Sequence, residues 1–298
     1  MFTGSIVALI TPMKKSGKID FDSIKGLIEY HIVNNTSAIL AIGTTGENFS
    51  LTFEEQCNIV KYIFETCDKK IPVIAGIISS NIENIKKQIN FYNKINISGI
   101  LISTPYYSCP TQNGIFNYFK EISKNTDIPQ IIYNNPKRTG CDILPETVSK
   151  LSYIKNIIGI KDSSKDLSRV KKIKFFSKKN FCLLCGDDIN ILDFMQLGGC
   201  GVISTAANII AYESSSLCRL INNRHYYKAE KLYYNILDLY KILLIAPNPT
   251  PIKWACNFLG LIKTKYIRLP MIGLNKKEIF MFKKILNKIK LKSKINCI

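Results

Sequence analysis

No stretch of the 298-residue chain is long and apolar enough to cross a membrane. A membrane-spanning helix needs about 20 predominantly apolar residues, and every apolar run here is interrupted before that length. The N-terminal segment is mildly apolar but lacks the basic leading residues of a secretory signal. We therefore expect no membrane association and a cytoplasmic location.

Histidine is nearly absent, since the chain has only His31 and His225, which are far apart in sequence. Ten cysteines are present, but their spacing does not fit a disulfide framework. The one close pair, Cys182 and Cys185, lies in an apolar strand-like run, and no second pair follows it at zinc-finger spacing. We expect reduced, buried thiols and no metal site.

Acidic residues are few, with 22 Asp and Glu against 41 Lys and Arg, which gives a formal net charge of +19. Such an excess attracts nucleic acid, anionic lipid or acidic partners. The lysines accompany isoleucine and asparagine along the whole chain, a pattern that indicates compositional drift rather than a binding patch. The densest cluster, 276–294, predicts a docked amphipathic helix whose apolar stripe contains Ile279, Phe280, Phe282, Ile285 and Ile289. We expect no specific nucleic-acid partner. The alternative is a catalytically inactive basic protein that binds nucleic acid or a membrane surface.

What the chain does contain is a regular alternation of strand-like and helix-like segments. The predicted strands are Ser5–Ile10, Ala38–Ile42, Ile71–Gly76, Gly99–Thr104, Gln130–Tyr133, Ile157–Ile160, Phe181–Cys185 and Gly201–Ser204. Helical patterns lie between them, for example Phe21–Val33, Phe53–Thr66, Ile82–Lys94, Ile115–Lys124 and Ser168–Phe176. Eight strands with intervening helices predict an α/β fold, a (β/α)8 TIM barrel over residues 1–225. Residues 226–298 predict a C-terminal helical appendage, interrupted by a stiff loop at Pro247–Pro251.

Lys161 follows the apolar run Ile157–Ile160, which is typical of a strand buried on both faces. Side chains at the carboxyl ends of barrel strands converge on the active site. Desolvation can lower the pKa of a lysine and give a free amine that attacks carbonyls. A solvated loop lysine is the alternative, so the residues at the other strand ends decide between the two.

Several chemically suited clusters follow neighbouring strands. The loop Gly43–Glu47 contains Thr44 and Thr45, whose hydroxyls and amides can hold a carboxylate. Tyrosines at the fourth and fifth strand ends are suited to proton transfer beside an imine-forming lysine. Arg138, in a Pro/Gly-rich loop, is suited to bidentate binding of a substrate carboxylate. The strand ends together predict a carbonyl-processing site.

The motifs Gly43–Glu47, Tyr133–Gly140 and Ile158–Asp162 occur in the order and spacing of a known family. The chain closely resembles the dihydrodipicolinate synthase/N-acetylneuraminate lyase family of class I aldolases. The resemblance covers essentially the whole chain, including Asp193–Gly199 and Lys253–Cys256. The Thr44-Thr45 pair and Arg138 resemble the synthase branch, and a sugar-acid aldolase or lyase of the same family is the alternative.

The resemblance implies a reaction between pyruvate and L-aspartate 4-semialdehyde in lysine and diaminopimelate biosynthesis, without a metal or organic cofactor. Lys161 would form a Schiff base with pyruvate, while Thr44 and Thr45 would bind the pyruvate carboxylate. Tyr133 would transfer protons through Thr44 to Tyr107. The implied assembly is a homotetramer, a dimer of dimers, in which this second tyrosine reaches a neighbouring subunit's site. The remaining implied residues are Arg138 for the semialdehyde carboxylate, and the main chain of Gly186 and Ile203 for pyruvate.

The resemblance also implies a feedback pocket for lysine at a dimer interface. The matching positions are Asn48, Phe49, Phe53, Gln56, Ser80, Asn84 and Tyr106. Tyr106 fits the family pattern, but the carboxylate expected at Asn84 is a neutral amide. Ser80 has a shorter side chain than the asparagine that the family pattern has at this position. A bound lysine would lose its charge partner, so we expect weak or absent feedback.

Overall fold

The computed structural model describes residues 2–289, so the last part of the basic cluster 276–294 lies outside the described residues. Within this range, eight parallel strands close into a barrel in chain order. They are β1 (Gly4–Ala8), β2 (Ala38–Ala41), β3 (Val73–Ile77), β4 (Gly99–Ser103), β5 (Gln130–Asn134), β6 (Ile157–Asp162), β7 (Cys182–Cys185) and β8 (Gly201–Ser204). The predicted (β/α)8 barrel is confirmed, and every strand bound lies within two residues of its predicted position.

Helices surround the strands and continue beyond the barrel. They are α1 (Phe21–Val33), α2 (Phe53–Cys67), α3 (Ile82–Lys94), α4 (Gln112–Ser123), α5 (Pro136–Thr139), α6 (Pro145–Ser152), α7 (Ser168–Phe176), α8 (Ile191–Gln196), α9 (Ala211–Asn222), α10 (Tyr226–Ile242), α11 (Thr250–Phe258) and α12 (Lys276–Leu286). Short 3-10 turns occur at Asn48–Ser50, Asp188–Asn190 and Ala206–Asn208. None of the helices in the described range is long and apolar enough to span a bilayer.

The helix starts follow from local capping chemistry. Thr52 accepts a hydrogen bond from the backbone N–H of Glu55, whose carboxylate in turn accepts from the Thr52 N–H. The side chains of Asn81 and Thr111 accept backbone N–H bonds at the starts of α3 and α4. Each cap satisfies an N–H that the helix itself cannot pair, which fixes where the chain turns from strand-end loop into helix.

Two apolar clusters divide the barrel into an interior and an outer layer. Because side chains alternate along a strand, Ile131 and Tyr133 belong to the inner cluster, while Ile132 packs in the outer layer beneath the helices. On β6, Ile160 packs outward, so its neighbour Lys161 lies on the inner side. The alternation of side chains along β6 therefore places the Lys161 side chain inside the barrel.

The C-terminal helices differ from the sequence prediction in two details. The segment expected as a loop, Pro247–Pro251, ends sooner, because α11 already begins at Thr250 with Pro251 in its first turn. Proline is tolerated in a first helical turn, where its missing N–H leaves no bond unmade. On α12 the buried residues are Phe282 and Leu286, whereas Phe280, part of the predicted apolar stripe, is 70% exposed.

Helix α10 packs on α9 and α12, so the C-terminal helices cover one side of the barrel. Phe282 is buried against Trp254, with ring centres 5.2 Å apart. The Tyr233 hydroxyl also donates to the Ile189 carbonyl after β7, at 2.6 Å. The proposed division at residues 225 and 226 remains a prediction, but these contacts bring the C-terminal region against the strand-end loops.

Candidate active site

Lys161 and Tyr133 lie side by side within the barrel. They are directly paired residues of β6 and β5. Each is 8% exposed, and the Lys161 Nζ is 4.5 Å from the centre of the Tyr133 ring. The amine and the phenol lie together in a largely apolar interior. They place a nucleophile and a proton-transfer group within one small volume. The two residues singled out from sequence are therefore brought together.

The phenol of Tyr133 has competing electrostatic influences. Burial acts to raise its pKa, but the positive charge of Lys161 lowers it. The side-chain amide of Asn135 donates to the phenol oxygen at 3.0 Å, and this bond, with Arg138 and Thr44, lowers the pKa further. The net pKa lies below its ordinary value, so the phenol gives up its proton more readily than an isolated tyrosine. The role of Asn135 was not predicted from sequence, although it lies in the quoted motif.

The loop after β2 carries Thr44 and Thr45 in a tight backbone turn. The Gly46 N–H donates to the Gly43 carbonyl at 3.0 Å. A Cβ on Gly46 would come within 3.1 Å of the Leu9 carbonyl oxygen, so glycine permits this close backbone approach. Thr45 is buried, and Thr44, which contributes to the lowered pKa of Tyr133, is partly exposed. The predicted carboxylate-binding loop thus lies beside the phenol.

A buried ion pair connects this loop to the C-terminal region. Lys253 on α11 is hydrogen-bonded to the carboxylate of Glu47, and both side chains are almost fully buried. The Arg268 N–H donates to the second oxygen of Glu47 at 3.2 Å, and its guanidinium binds both oxygens of Glu55. Glu47 itself has φ +59°. The role of this lysine and arginine was missed, because sequence spacing alone does not show that α11 reaches the β2 loop.

Arg138 and Tyr107 stand at the rim rather than in the buried cluster. Arg138 is exposed on α5, close enough to lower the pKa of Tyr133. Tyr107 is 95% exposed and has φ +73°, in a turn fixed by its N–H bond to the Thr139 carbonyl at 3.1 Å. The single chain therefore does not enclose the Tyr107 phenol with Lys161 and Tyr133.

Gly186 and Ile203 lie at the carboxyl ends of β7 and β8, as predicted. The Gly186 N–H donates to the Asp162 carbonyl at 2.8 Å, and its own carbonyl accepts from the Ser163 hydroxyl at 3.2 Å. A Cβ at position 186 would lie 2.0 Å from the Ser163 hydroxyl oxygen, so a side chain cannot be accommodated without displacement. Ile203 packs in the inner cluster with Tyr133.

Buried carboxylates brace the strand ends around the lysine. Asp162, next to Lys161, accepts from Asn134 at 3.2 Å and lies 3.5 Å from the Arg169 guanidinium. Asp188 accepts the N–H groups of Thr205 and Ala206 at 3.1 and 2.9 Å. Burial raises the pKa of Asp188. These hydrogen bonds and this ion pair join consecutive loops and fix the positions of the residues around the site.

The positions matching a lysine-feedback pocket form two local groups. The Gln56 side chain donates to the Asn48 carbonyl at 3.2 Å, while Ser80 exchanges hydrogen bonds with the Tyr106 backbone at 2.9 and 3.2 Å. Asn84 is exposed in the first turn of α3. Phe49 and Phe53 are also exposed, at 46% and 50%. None of the matching positions carries a carboxylate.

No group of three or more His, Cys, Asp and Glu side chains within residues 2–289 is arranged to hold a metal ion. The nine cysteines in the same range, including Cys182 and Cys185, are free thiols.

Comparison with known proteins identifies the family to which the chain belongs. Residues 1–289 match the Dihydrodipicolinate synthetase family. The chain is 50% identical over 294 residues to the 4-hydroxy-tetrahydrodipicolinate synthase of Buchnera aphidicola subsp. Cinara cedri, with 98% of each chain covered. The chain belongs to the dihydrodipicolinate synthetase family. The resemblance inferred from the motifs is confirmed.

Solved structures of family members have the same fold. A dihydrodipicolinate synthase from Aquifex aeolicus superposes with a TM-score of 0.94 at 37% identity, covering 98% of this chain and 100% of that one. The chloride-inhibited synthase from Acinetobacter baumannii, complexed with pyruvate, superposes with a TM-score of 0.94 at 36% identity, covering 97% and 99%. At these identities both family membership and barrel architecture are shared.

Proposed function

We propose that the protein is a 4-hydroxy-tetrahydrodipicolinate synthase, a lyase that condenses pyruvate with L-aspartate 4-semialdehyde. The observation that carries the proposal is the buried Lys161 amine 4.5 Å from the Tyr133 ring, in a chain that belongs to this family. The synthases among its relatives support this activity over that of a sugar-acid lyase. The reaction serves lysine and diaminopimelate biosynthesis in the cytoplasm.

The chemistry begins at the amine. Lys161 attacks the ketone carbon of pyruvate, and loss of one water gives a protonated imine. The imine withdraws electrons from the methyl group, so removal of one methyl proton yields an enamine. Tyr133, with its lowered pKa, exchanges the protons that these steps release and consume. No metal or organic cofactor enters this sequence.

The enamine carbon then attacks the aldehyde carbon of the second substrate, and the aldehyde oxygen takes up a proton. The substrate amine attacks the imine carbon and displaces Lys161, closing the ring of the hydroxy-tetrahydrodipicolinate. The overall balance is one pyruvate and one semialdehyde in, one cyclic product and one water out. Thr44 and Thr45 bind the pyruvate carboxylate, with the main chain at Gly186 and Ile203 completing that pocket. Arg138 binds the carboxylate of the semialdehyde in a bidentate manner.

Tyr107 supports a working unit of more than one chain. Its side chain is 95% exposed, and its backbone turn is tied to the Arg138 loop through Thr139. We assign it to a neighbouring subunit's site, where it extends the proton path from Tyr133 through Thr44. The assembly we propose is a homotetramer built from two such dimers. Co-expression of a Tyr107→Phe chain with a Lys161→Met chain tests the exchange, because mixed dimers retain one complete site.

Borohydride reduction in the presence of pyruvate tests the central step. Reduction converts the imine into a stable secondary amine, and peptide mass mapping locates it. We expect modification at Lys161 when pyruvate is present and none when pyruvate is omitted. A Lys161→Met variant should not be modified. Lys171→Met, a change at an exposed lysine on α7, is the matched control and retains labelling. A label that maps to another lysine overturns the mechanism.

The second substrate is tested separately. Purified protein and pyruvate are mixed with either L-aspartate 4-semialdehyde or a sugar aldehyde, and consumption of pyruvate is followed. We expect turnover with the semialdehyde and little with the sugar. The reverse preference would assign the sugar-acid branch, and salt-sensitive binding of nucleic acid without turnover would favour the basic surface-binding alternative.

A further inference from the structure

The hydroxyl of Thr45 lies between two side chains from distant parts of the chain. The Asn248 side-chain amide donates to the Thr45 hydroxyl oxygen at 3.0 Å. The Thr205 hydroxyl oxygen lies 3.2 Å from the same atom. Thr45 itself is 3% exposed, so water does not compete freely for these bonds. The three residues join the loops after β2 and β8 to the segment before α11.

Hydrogen-bond capacity determines what the Thr45 hydroxyl can still do. A hydroxyl has one proton to donate and two lone pairs that accept. The amide nitrogen of Asn248 can only donate, so it occupies one lone pair. The Thr205 hydroxyl can donate to the other, and in that arrangement the single Thr45 proton remains available. A small anion next to Thr45 would then receive a directed O–H bond.

Both neighbours are held firmly. The Thr205 N–H donates to the buried carboxylate of Asp188 at 3.1 Å, which fixes the loop after β8 against the loop after β7. The segment around Asn248 leads directly into α11, where Lys253 is hydrogen-bonded to Glu47 in the same loop as Thr45. The spacing of the three hydroxyl and amide groups is therefore set by buried contacts on each side rather than by the three groups themselves.

We propose that Thr205 and Asn248 are positioning residues that orient the Thr45 hydroxyl toward the carboxylate of the α-keto acid. This inference rests on the proposed function, since it assumes that Thr45 binds that carboxylate. It adds a specificity device: the site distinguishes a ketone with an adjacent carboxylate from one without. It also gives the C-terminal region a part in substrate selection.

A Thr205→Val variant tests the inference, because valine has nearly the shape of threonine and no hydroxyl. Trapping at Lys161 by borohydride is measured against pyruvate concentration, and in parallel against acetone, a ketone that lacks the carboxylate. We expect the half-saturating pyruvate concentration and the pyruvate KM to rise about three- to tenfold, the range for loss of one hydrogen bond. We expect kcat and the rate of acetone trapping to stay near the wild-type values.

Two further variants separate orientation from damage. Thr205→Ser keeps the hydroxyl and restores the wild-type pyruvate dependence. Asn248→Ala, which removes the amide donor from the other side, repeats the pyruvate-specific loss and serves if Thr205→Val folds poorly. Thr66→Val, near the end of α2, is the matched control and leaves both ketones unaffected.

The outcomes distinguish this inference from the proposed function. A wild-type protein that forms no imine with pyruvate at Lys161 overturns the proposed function and this inference with it. Normal trapping in the wild type with an unchanged Thr205→Val variant overturns only the positioning role. A variant that loses acetone and pyruvate trapping equally also contradicts it, because the change then acts on Lys161 rather than on carboxylate recognition.

Discussion

Lys161 and Tyr133 are paired across β6 and β5, with the lysine amine 4.5 Å from the centre of the tyrosine ring. A shift of either strand by one residue would turn one of the two side chains out of the barrel, because strand side chains alternate. The register of these two neighbouring strands therefore decides whether imine chemistry and proton transfer can share one site.

The pairing predicts that the two residues fail in different ways. In Tyr133→Phe we expect kcat to fall about 10²- to 10⁴-fold, the usual contribution of a positioned acid–base group. The imine should still form with pyruvate, because the amine is intact, and borohydride trapping measures this directly. Tyr153→Phe, which changes a largely exposed tyrosine, is the control. Full activity in Tyr133→Phe would remove the phenol from the proton path.

Asn135 offers a separate test of how the phenol is tuned. Its amide donates to the Tyr133 oxygen, and this bond stabilises the phenolate and contributes to the lowered pKa. In Asn135→Ala we expect the pKa of Tyr133 to rise toward its ordinary value. Ultraviolet titration of the phenolate, compared with a Tyr133→Phe background, reports the shift. A pKa that stays in place would mean that Lys161 and Arg138 alone set it.

The sequence was sufficient for the parts of the site that local patterns determine. Apolar runs of the right length located all eight strands, and the strand-end rule brought Lys161 and Tyr133 together. Alternation also predicts that Lys161 faces inward, once Ile160 is assigned to the outer layer. These features depend on periodicity, which a single sequence contains.

What sequence patterns did not show were contacts between distant segments. Asn248 and Lys253 reach the β2 loop only because α11 packs where it does, and no spacing in the sequence records that approach. The exposure of Phe280 was missed for a similar reason. Helical spacing predicts which residues share one face of α12, but the surface on which the helix packs determines which of them are buried. Tertiary packing, rather than local preference, determines these positions.

The buried pair of Glu47 and Lys253 predicts a large stability effect. In Lys253→Met the carboxylate of Glu47 remains buried without its partner, and such a change costs about 3–5 kcal/mol of unfolding free energy. Urea denaturation monitored by circular dichroism measures the loss. The double variant Glu47→Gln/Lys253→Met should recover much of it, because no charge is left unpaired. Equal stability of the single variant and the wild type would contradict the buried pairing.

His31 predicts a specific acid sensitivity. It is fully buried, and burial lowers its pKa from 6.5 to about 3. Between these values His31 binds a proton in the unfolded chain but not in the folded protein. The contribution of His31 to the unfolding free energy is therefore complete above pH 6.5 and falls as the pH drops toward 3. The slope from this residue is at most about 1.4 kcal/mol per pH unit.

The acid sensitivity is measured by difference. Unfolding midpoints of the wild type and His31→Gln are compared between neutral and acidic pH. We expect the variant to be less stable at neutral pH but to lose stability less steeply on acidification. His225→Gln, at the exposed N-cap of α10, controls for removal of a histidine as such. Parallel curves for the wild type and His31→Gln would show that His31 titrates normally.

The positions matching the feedback pocket predict that inhibition of this enzyme by lysine is weak or absent. Ser80 is engaged by the Tyr106 backbone, and the exposed Asn84 offers an amide where a lysine ammonium would need a carboxylate. A hydrogen bond to a charged group is worth about 1.5–3 kcal/mol, so its loss weakens binding by one to two orders of magnitude. We expect millimolar L-lysine to lower initial rates little or not at all, and strong inhibition of the wild type would contradict this. Asn84→Glu combined with Ser80→Asn should introduce inhibition, whereas Asn84→Gln with Ser80→Asn, which is equal in length but neutral, should not. The comparison isolates the missing charge, since α3 accepts either residue in its exposed first turn.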